Sequence, residues 1–297
     1  MTSGHSGVSP GENPQWRLIV TGPADGPLNM AIDEALLVSA ISGGRPALRI
    51  YSWDPPAVSL GYFQDLDDQN IDRAEIVRRG YDLVRRPTGG RAILHKHEVT
   101  YSVTARQSDV AGGASLMGAY RTISRGVEAG LQLLGVNAML AEKAGETLGP
   151  ERTSLPTVCF GHPAKADMVA AGRKIVGSAQ VRRRDALLQH GSIPISIDPT
   201  EHLAVMPGGL GNSGAHVADG GRLAAIACGV ADIVDYEPTF EQLVQALADG
   251  FASALRIRIE ADGLSDAETE LAGCLRREKY ADDKWTARRG DQQPEQR

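Results

Sequence analysis

Four short segments carry residue types suited to group-transfer chemistry. Cys159, in Thr157-Val158-Cys159-Phe160, stands beside Gly161 and Pro163, a setting that suits a loop–strand junction better than a core element. A thiol attacks as its thiolate, and an ordinary thiol with a pKa of ~8.5 needs a nearby cation to ionise at neutral pH. Lys174 opens the otherwise small and apolar run Arg173-Lys174-Ile175-Val176-Gly177-Ser178-Ala179-Gln180. Strand alternation puts Lys174, Val176 and Ser178 on one face. A strand-end lysine is ordinarily solvated, but beside a glycine-rich surface it can project into a cleft. Residues 85–95, Arg85-Arg86-Pro87-Thr88-Gly89-Gly90-Arg91-Ala92-Ile93-Leu94-His95, hold paired glycines. These either make a tight turn or let a ligand come close, and the residues alone leave both open. His190, in Leu188-Gln189-His190-Gly191-Ser192, reads as well for a satisfied core residue as for a functional one. Cys228 and Cys274 read as small buried hydrophobes.

These residues need a scaffold. The pattern predicts a strand over 16–20 and an amphipathic helix over 30–41 with Asn29 as N-cap, its acids Asp33 and Glu34 suiting the helix dipole. Strands follow over 47–53, 57–63 and 81–86, with a short helix over 71–79 between the last two. Val99, Tyr101 and Val103 alternate with polar residues, as in a half-buried strand. A helix over 118–134 stops at Gly135, and the polar stretch 143–156 reads as a mobile surface loop. Strands over 166–170, 174–180 and 186–197 form hairpins with turns at 171–173 and 183–185. Residues 207–221, six of them glycine, read as a flexible loop. Helices are predicted over 239–255 and 265–285, the second opened by a Ser265/Glu268 capping box and followed by a frayed tail. The fold class is α+β, a mixed and largely antiparallel sheet flanked by helices. It divides into a lead at 1–14, a catalytic domain at 15–255, a C-terminal strand and helix at 256–285 packed on it, and a polar tail at 286–297.

The chain has 297 residues, 42% of them apolar, and a net charge of −6. An acidic balance argues against nucleic-acid binding. The local clusters at Arg78–Arg79, Arg85–Arg86 and Arg182–Arg184 read as solvated turns, with docking of an acidic partner the other reading. No stretch approaches the ~20 apolar residues of a membrane span, and residues 1–14 lack the apolar core of a signal peptide. Three widely spaced cysteines without a C-x-x-C argue against a disulfide framework or a zinc site and fit a reducing cytosol.

Together, residues 29–37 (NMAIDEALL), RRPTGGRAILH, Cys159-Phe160, GRKIVGSAQ, LQHGSIP and the late KYADDKW at 279–285 resemble the biotin/lipoyl protein ligase superfamily. Within it they resemble the LipM-type octanoyltransferases. Arg91 stands where lipoate ligases carry a third glycine, a cysteine precedes the GRK segment, and the biotin-ligase G-R-G-R-x-G signature is absent. The glycine-rich 207–221 and Ala171 in the hairpin turn depart from the family pattern. The resemblance implies transfer of an octanoyl group from octanoyl-acyl carrier protein to Cys159, then to a lysine of a lipoyl domain, with the glycine cleavage H protein as first acceptor. It implies no cofactor, metal, nucleic acid or membrane. Lys174 would lower the Cys159 pKa and, with N–H groups near Gly177, hold the oxyanion. Gly89, Gly90 and Arg91 would wall the acyl thioester, with His95 orienting it. Arg85, Ser178, Gln180 and His190 complete the implied substrate contacts, the proton acceptor being His95, His190 or solvent. An ATP-dependent lipoate ligase and an amidotransferase working between lipoyl domains are the alternatives.

Overall fold

The structure is a computed structural model and describes residues 13–66, 71–141, 167–207 and 216–288. Their elements are β1 (Gln15–Ala24), α1 (Gly26–Ile41), β2 (Ala47–Trp53), β3 (Ala57–Leu60), α2 (Arg73–Arg78), β4 (Asp82–Arg85), β5 (Ile93–His95), β6 (Glu98–Arg106), α3 (Leu116–Leu133), β7 (Met139–Leu140) and β8 (Met168–Ala170). The chain continues with β9 (Arg173–Arg183), β10 (Ala186–Pro194), α4 (Pro199–Val205), α5 (His216–Ile226), α6 (Phe240–Leu255), β11 (Arg258–Asp262), α7 (Asp266–Leu275), a π-helical turn (Arg276–Tyr280) and α8 (Asp283–Ala287). One sheet runs β11-β1-β2-β6-β10-β9-β8-β7 and a smaller one β4-β3-β5. Strand β1 pairs in parallel with β2 and β11, and β3 with β4; the other pairings are antiparallel. The α+β reading therefore holds.

Alternation along the central strands separates a greasy face from a polar one. Leu48 and Ile50 of β2, Val99, Tyr101 and Val103 of β6, and Leu187 and Ile193 of β10 face one core, covered by Ile123, Val127 and Leu131 of α3 and Leu247 and Phe251 of α6. The residues between them face α1, and many are polar: Arg49, Tyr51, Thr100, Ser102, His190 and Ser192 are all buried. A sheet that buries polar groups on one face must give them partners there.

Helices α3 and α6 touch backbone to backbone. A Cβ added at Gly250 would lie 2.2 Å from the Gly130 nitrogen and 2.5 Å from its Cα. Gly250→Ala is therefore expected to force the helices apart and cost about 1–3 kcal/mol, read as a lowered denaturation midpoint at unchanged m-value. A stability equal to that of the unmodified chain would show that the helices separate without cost.

Several local expectations change. Helix α1 starts a turn before residue 30: Asp25 is its N-cap, accepting from the Leu28 N–H, and a proline occupies its first turn. This places Asn29, Asp33 and Glu34 inside the helix as buried residues rather than at a dipole end. The predicted loop over 207–221 is partly helix, since α5 begins at His216 and buries Leu223. The predicted helix over 265–285 breaks after Leu275 into the π-helical turn and α8, which runs on to Ala287. Thr286 is buried and its carbonyl takes two bonds from Arg85. At the β8–β9 turn Ala171 and Gly172 both have positive φ (47° and 74°), a geometry in which alanine bears a modest cost. The loop predicted over 143–156 lies outside the described residues. No helix among the described residues is long and apolar enough to cross a membrane.

Candidate functional site

A pocket opens on the polar face, between α1, the 86–93 segment, β6, β9 and β10. Of the sequence candidates, Gly90, His95, Gly177, Ser178 and His190 line it, together with Met30, Trp53, Ser59, Arg86 and Ile93. The two glycine-containing strand segments and the two histidines, read separately in the sequence, thus meet at one place.

Each histidine is fixed by a carboxylate. His190 Nδ1 lies 3.0 Å from Asp33 Oδ2, and its Nε2 2.6 Å from the Thr88 hydroxyl. Asp33 is fully buried; burial favours its neutral form, but the Arg49 guanidinium at 2.8 Å, with His190 and Ser102, overcomes this and holds the carboxyl below its usual range. Burial in turn pushes the His190 imidazole down, outweighing Asp33, so it is neutral near pH 7. With Asp33 ionised, the proton sits on Nδ1 and Nε2 accepts from Thr88. His95 stacks on Trp53 with ring centroids 4.0 Å apart. Its Nδ1 lies 2.8 Å from Glu98 Oε1 and its Nε2 2.7 Å from the Ser59 hydroxyl. Glu98 is satisfied further by the hydroxyls of Thr100 and Ser192.

Arg86 shapes the glycine loop. Its guanidinium is buried and donates to the carbonyls of Ser59, Gly89 and Arg91. Gly90 has φ 93°, and any Cβ there would sit 2.7 Å from that guanidinium. Arg85 is not a substrate contact: fully buried, it donates to the carbonyls of Gly61, Tyr62, Gln64 and Thr286. The expectation of solvated or carrier-docking arginines at 85–86 fails because the loop carbonyls need donors. Arg182 and Arg183 are also partnered, Arg182 with the carbonyls of Gly113 and Ser115 and Arg183 with Glu34; Arg184 takes the turn. Arg91 is exposed, and Gln180 points elsewhere, donating to Gln189 at 3.0 Å.

Lys174 differs most from the alternation reading. Its Cε and Nζ stand 3.2 and 3.3 Å from where a Cβ on Gly177 would be, so the ammonium lies on the Gly177 side of β9, beside the pocket lining. The Ser178 hydroxyl instead bonds the Tyr101 hydroxyl at 2.8 Å. A register shift between Met168 and Val169, opposite this part of β9, breaks strict alternation. The ammonium is buried and lies 2.7 Å from Asp167, itself buried. Asp167 was not singled out in the sequence; a lone acid seven residues before a lysine gives no signal until the hairpin folds them together.

Cys159 lies outside the described residues. The two described cysteines are poor nucleophiles. Burial pushes the Cys228 thiol up to about 11, and it points at the Lys174 carbonyl, 3.7 Å away. A hydrogen bond with Glu278 raises the Cys274 thiol. Among the described residues no group of three or more His, Cys, Asp or Glu could hold a metal ion.

A pocket on the polar, helix-covered face of such a sheet, walled by a glycine loop and two carboxylate-held histidines, defines a class. Residues 25–252 match the lipoyl protein ligase A/B catalytic domain, and the chain belongs to that family. More narrowly, it falls with the LipM-type octanoyltransferases. It is 40% identical over 279 residues to octanoyltransferase LipM of Kyrpidia tusciae, covering 92% of this chain and 99% of that protein. It is 37% identical to octanoyltransferase LipM of Lysinibacillus sphaericus, covering 91% of this chain and 98% of that protein. Among solved structures it resembles a lipoate-protein ligase A bound with ATP, with TM-score 0.73 and 26% identity over 93% of this chain and 98% of the other. A bi-partite lipoate protein ligase from Thermoplasma acidophilum shares the fold, with TM-score 0.73 and 24% identity over 96% of this chain and 99% of the other.

Proposed function

We propose that this chain transfers an octanoyl group from the thioester of an acyl carrier protein to Cys159, and from there to the ε-amine of a lysine on a lipoyl domain, the glycine cleavage H protein first. In the first step the Cys159 thiolate adds to the thioester carbonyl and the carrier thiolate leaves and takes a proton. In the second the neutral amine adds, the Cys159 thiolate leaves, and the amine proton passes to a base. Thioester exchange is nearly balanced and amide formation from a thioester runs downhill, so neither step needs ATP.

The observation that carries this reading is the Lys174 ammonium held against Gly177, which lines the pocket. With Asp167 2.7 Å away, the ammonium is fixed in place and its charge balanced, which suits hydrogen-bond donation to a developing oxyanion. The names of the curated relatives support octanoyl as the group moved. His190, neutral and hydrogen-bonded to Thr88, has the protonation state of a base for the incoming amine.

The test is intact-mass analysis of the chain mixed with octanoyl-carrier protein without ATP or magnesium. One octanoyl adduct, removed by hydroxylamine and passed to a lipoyl domain, is expected. An absolute ATP requirement would favour the ligase chemistry of the ATP-bound structural relative, and an adduct formed only from an octanoylated lipoyl domain would favour an amidotransferase.

Trp53 sets the depth available to the acyl chain. It lines both the inner pocket and an outer groove formed with Pro23, Lys96, His97 and Phe240, so its ring is the partition between them. Trp53→Ala is expected to join the two spaces and raise kcat/KM for dodecanoyl over octanoyl donors by roughly tenfold, the scale of a few methylenes in an apolar pocket. An unchanged chain-length profile would place the acyl chain elsewhere.

A further inference from the structure

The acceptor amine must lose a proton as it becomes an amide, and two histidines line the pocket where that can happen. His190 has the protonation state of a base, but a base must also hold the proton once it arrives. The surroundings of His190 and His95 differ in how they receive that charge.

Alternation assembles the His95 side. Val58 and Leu60 of β3 and Leu94 of β5 pack in one core with Ile76 of α2. The residues between and beside them, Ser59, Ile93 and His95, turn the other way, and all three line the pocket. The Ser59 Oγ lies 2.7 Å from His95 Nε2 and accepts from Arg86 Nη1 at 3.1 Å. A hydroxyl that donates once and accepts once keeps a second lone pair for an incoming N–H. On the other edge of the ring, His95 Nδ1 lies 2.8 Å from Glu98 Oε1. The Thr100 hydroxyl, itself held by the Trp53 indole N–H at 2.8 Å, donates to the same oxygen at 2.5 Å, and the Ser192 hydroxyl donates to Oε2. Three donors converging on one carboxyl make it an acceptor throughout. The His95 proton therefore sits on Nδ1, and Nε2 accepts from Ser59.

The counter-charge separates the two histidines. Asp33, behind His190, already has the Arg49 guanidinium at 2.8 Å, and burial works against a charged His190. Glu98 is buried, and among the described residues it meets no lysine or arginine: its partners are His95 and two hydroxyls. A buried carboxylate without a cation is costly and favours a positive charge forming beside it. An imidazolium at His95 would have that carboxylate at its edge and, on its face, the Trp53 ring stacked 4.0 Å away at 14°. Arg86 opposes charge on both sides, through Ser59 beside His95 and directly on His190, so it favours neither. Lys96, next in the chain, is paired with Glu201.

We propose that Ser59, His95 and Glu98 form the proton relay of the amide-forming step, with Ser59 and His95 handling the proton and Glu98 positioning the ring and balancing its charge. As the amine nitrogen bonds the acyl carbon, its N–H breaks toward Ser59 Oγ while the Ser59 O–H breaks toward His95 Nε2. The N–H electron pair stays on nitrogen, Ser59 ends as a hydroxyl, His95 ends as the imidazolium, and the acyl C–S bond breaks to leave the Cys159 thiolate. The imidazolium passes its proton to water once the product has gone. This rests on the acyl-transfer reading above and names the base that it leaves open.

The test starts from octanoyl-enzyme, made on the full chain with octanoyl-carrier protein, freed of donor, and mixed with either a lipoyl domain or hydroxylamine. Intact mass follows loss of the adduct. Hydroxylamine is uncharged at neutral pH and its weakly basic nitrogen gives up a proton to water, so its rate reports the thioester alone. The lysine rate reports the thioester and the base together. His95→Asn keeps a side-chain N–H for Glu98 but removes the Nε2 acceptor. It is expected to lower the lysine-to-hydroxylamine rate ratio by about a hundredfold, the scale of a positioned base. Ser59→Ala and Glu98→Gln are each expected to lower the ratio by about tenfold, the scale of one hydrogen bond to a charged group. Ser59→Ala decides the matter if His95→Asn fails to fold. A role in the fold alone slows both nucleophiles together, so an unmoved ratio in a folded variant overturns the relay. A ratio lowered by His190→Asn and not by His95→Asn overturns it too, and sends the proton to the Asp33 side. A folded His95→Asn chain that gains no octanoyl group places His95 in the first step and overturns the assignment. If the unmodified chain gains none, the acyl-cysteine reading fails and the relay falls with it, whereas an adduct with unmoved ratios sinks the relay alone.

Discussion

Cys159→Ala is expected to remove the octanoyl adduct entirely and to lower transfer to the lipoyl domain by at least about a thousandfold, the scale seen when a covalent nucleophile is deleted. The effect is large because no described thiol can substitute. Cys228 would ionise only near pH 11, and Cys274 is held protonated by Glu278. Cys159→Ser is expected to fare little better, since a hydroxyl beside a charge-balanced lysine gains little ionisation at neutral pH. The check is intact mass together with initial rates on the same samples. A hydroxylamine-sensitive adduct that persists in Cys159→Ala would remove this residue from the mechanism and leave the rest of the pocket without its nucleophile.

Lys174→Ala is expected to cost both activity and stability, and the two losses can be separated. Removing the ammonium leaves the Asp167 carboxylate buried without the partner that lies 2.7 Å away. Breaking a buried pair from one side typically costs about 3–5 kcal/mol, a large part of a domain's total. Replacing both residues by apolar ones, Lys174→Met with Asp167→Leu, is expected to restore most of the stability because no unpaired charge remains. Transfer should stay low in the double variant, since the oxyanion donor is still missing. Urea denaturation midpoints and initial rates on the two variants decide the matter. Recovery of transfer along with stability would show that Lys174 serves the fold alone. An unchanged pH profile of Cys159 alkylation in the single variant would remove Lys174 from tuning the thiol.

The buried lysine also marks where reading a sequence by period stops working. Strict alternation sends Lys174 to the side of Ser178. The register shift opposite Met168–Val169 sends its ammonium to the side of Gly177 instead. Local patterns were sufficient where each residue's neighbours are its own sequence neighbours. The β9–β10 turn, the capping box at Ser265, and strand β2 follow the expected residues closely. They failed where a side chain answers to something remote. Asp33 reads as a helix-dipole acid until Arg49 and His190 arrive from two strands, the latter 157 residues away. Arg85 and Arg86 read as surface charge until the glycine loop presents its carbonyls.

What the sequence determined by itself was the alternation of apolar and polar residues, the glycines that leave room at positions 90 and 177, and the set of reactive groups worth considering, with family membership carried by their order. Those properties are set by bonding and sterics within a few residues, so they survive without a fold. Only the tertiary structure decided which carboxylate each histidine and lysine would meet, which arginines would be spent on loop carbonyls, and that Trp285 of the late segment would bond the Arg85 carbonyl. Burial makes an unpartnered charge expensive, and the partner that relieves it is chosen by strand register and helix docking across the whole chain.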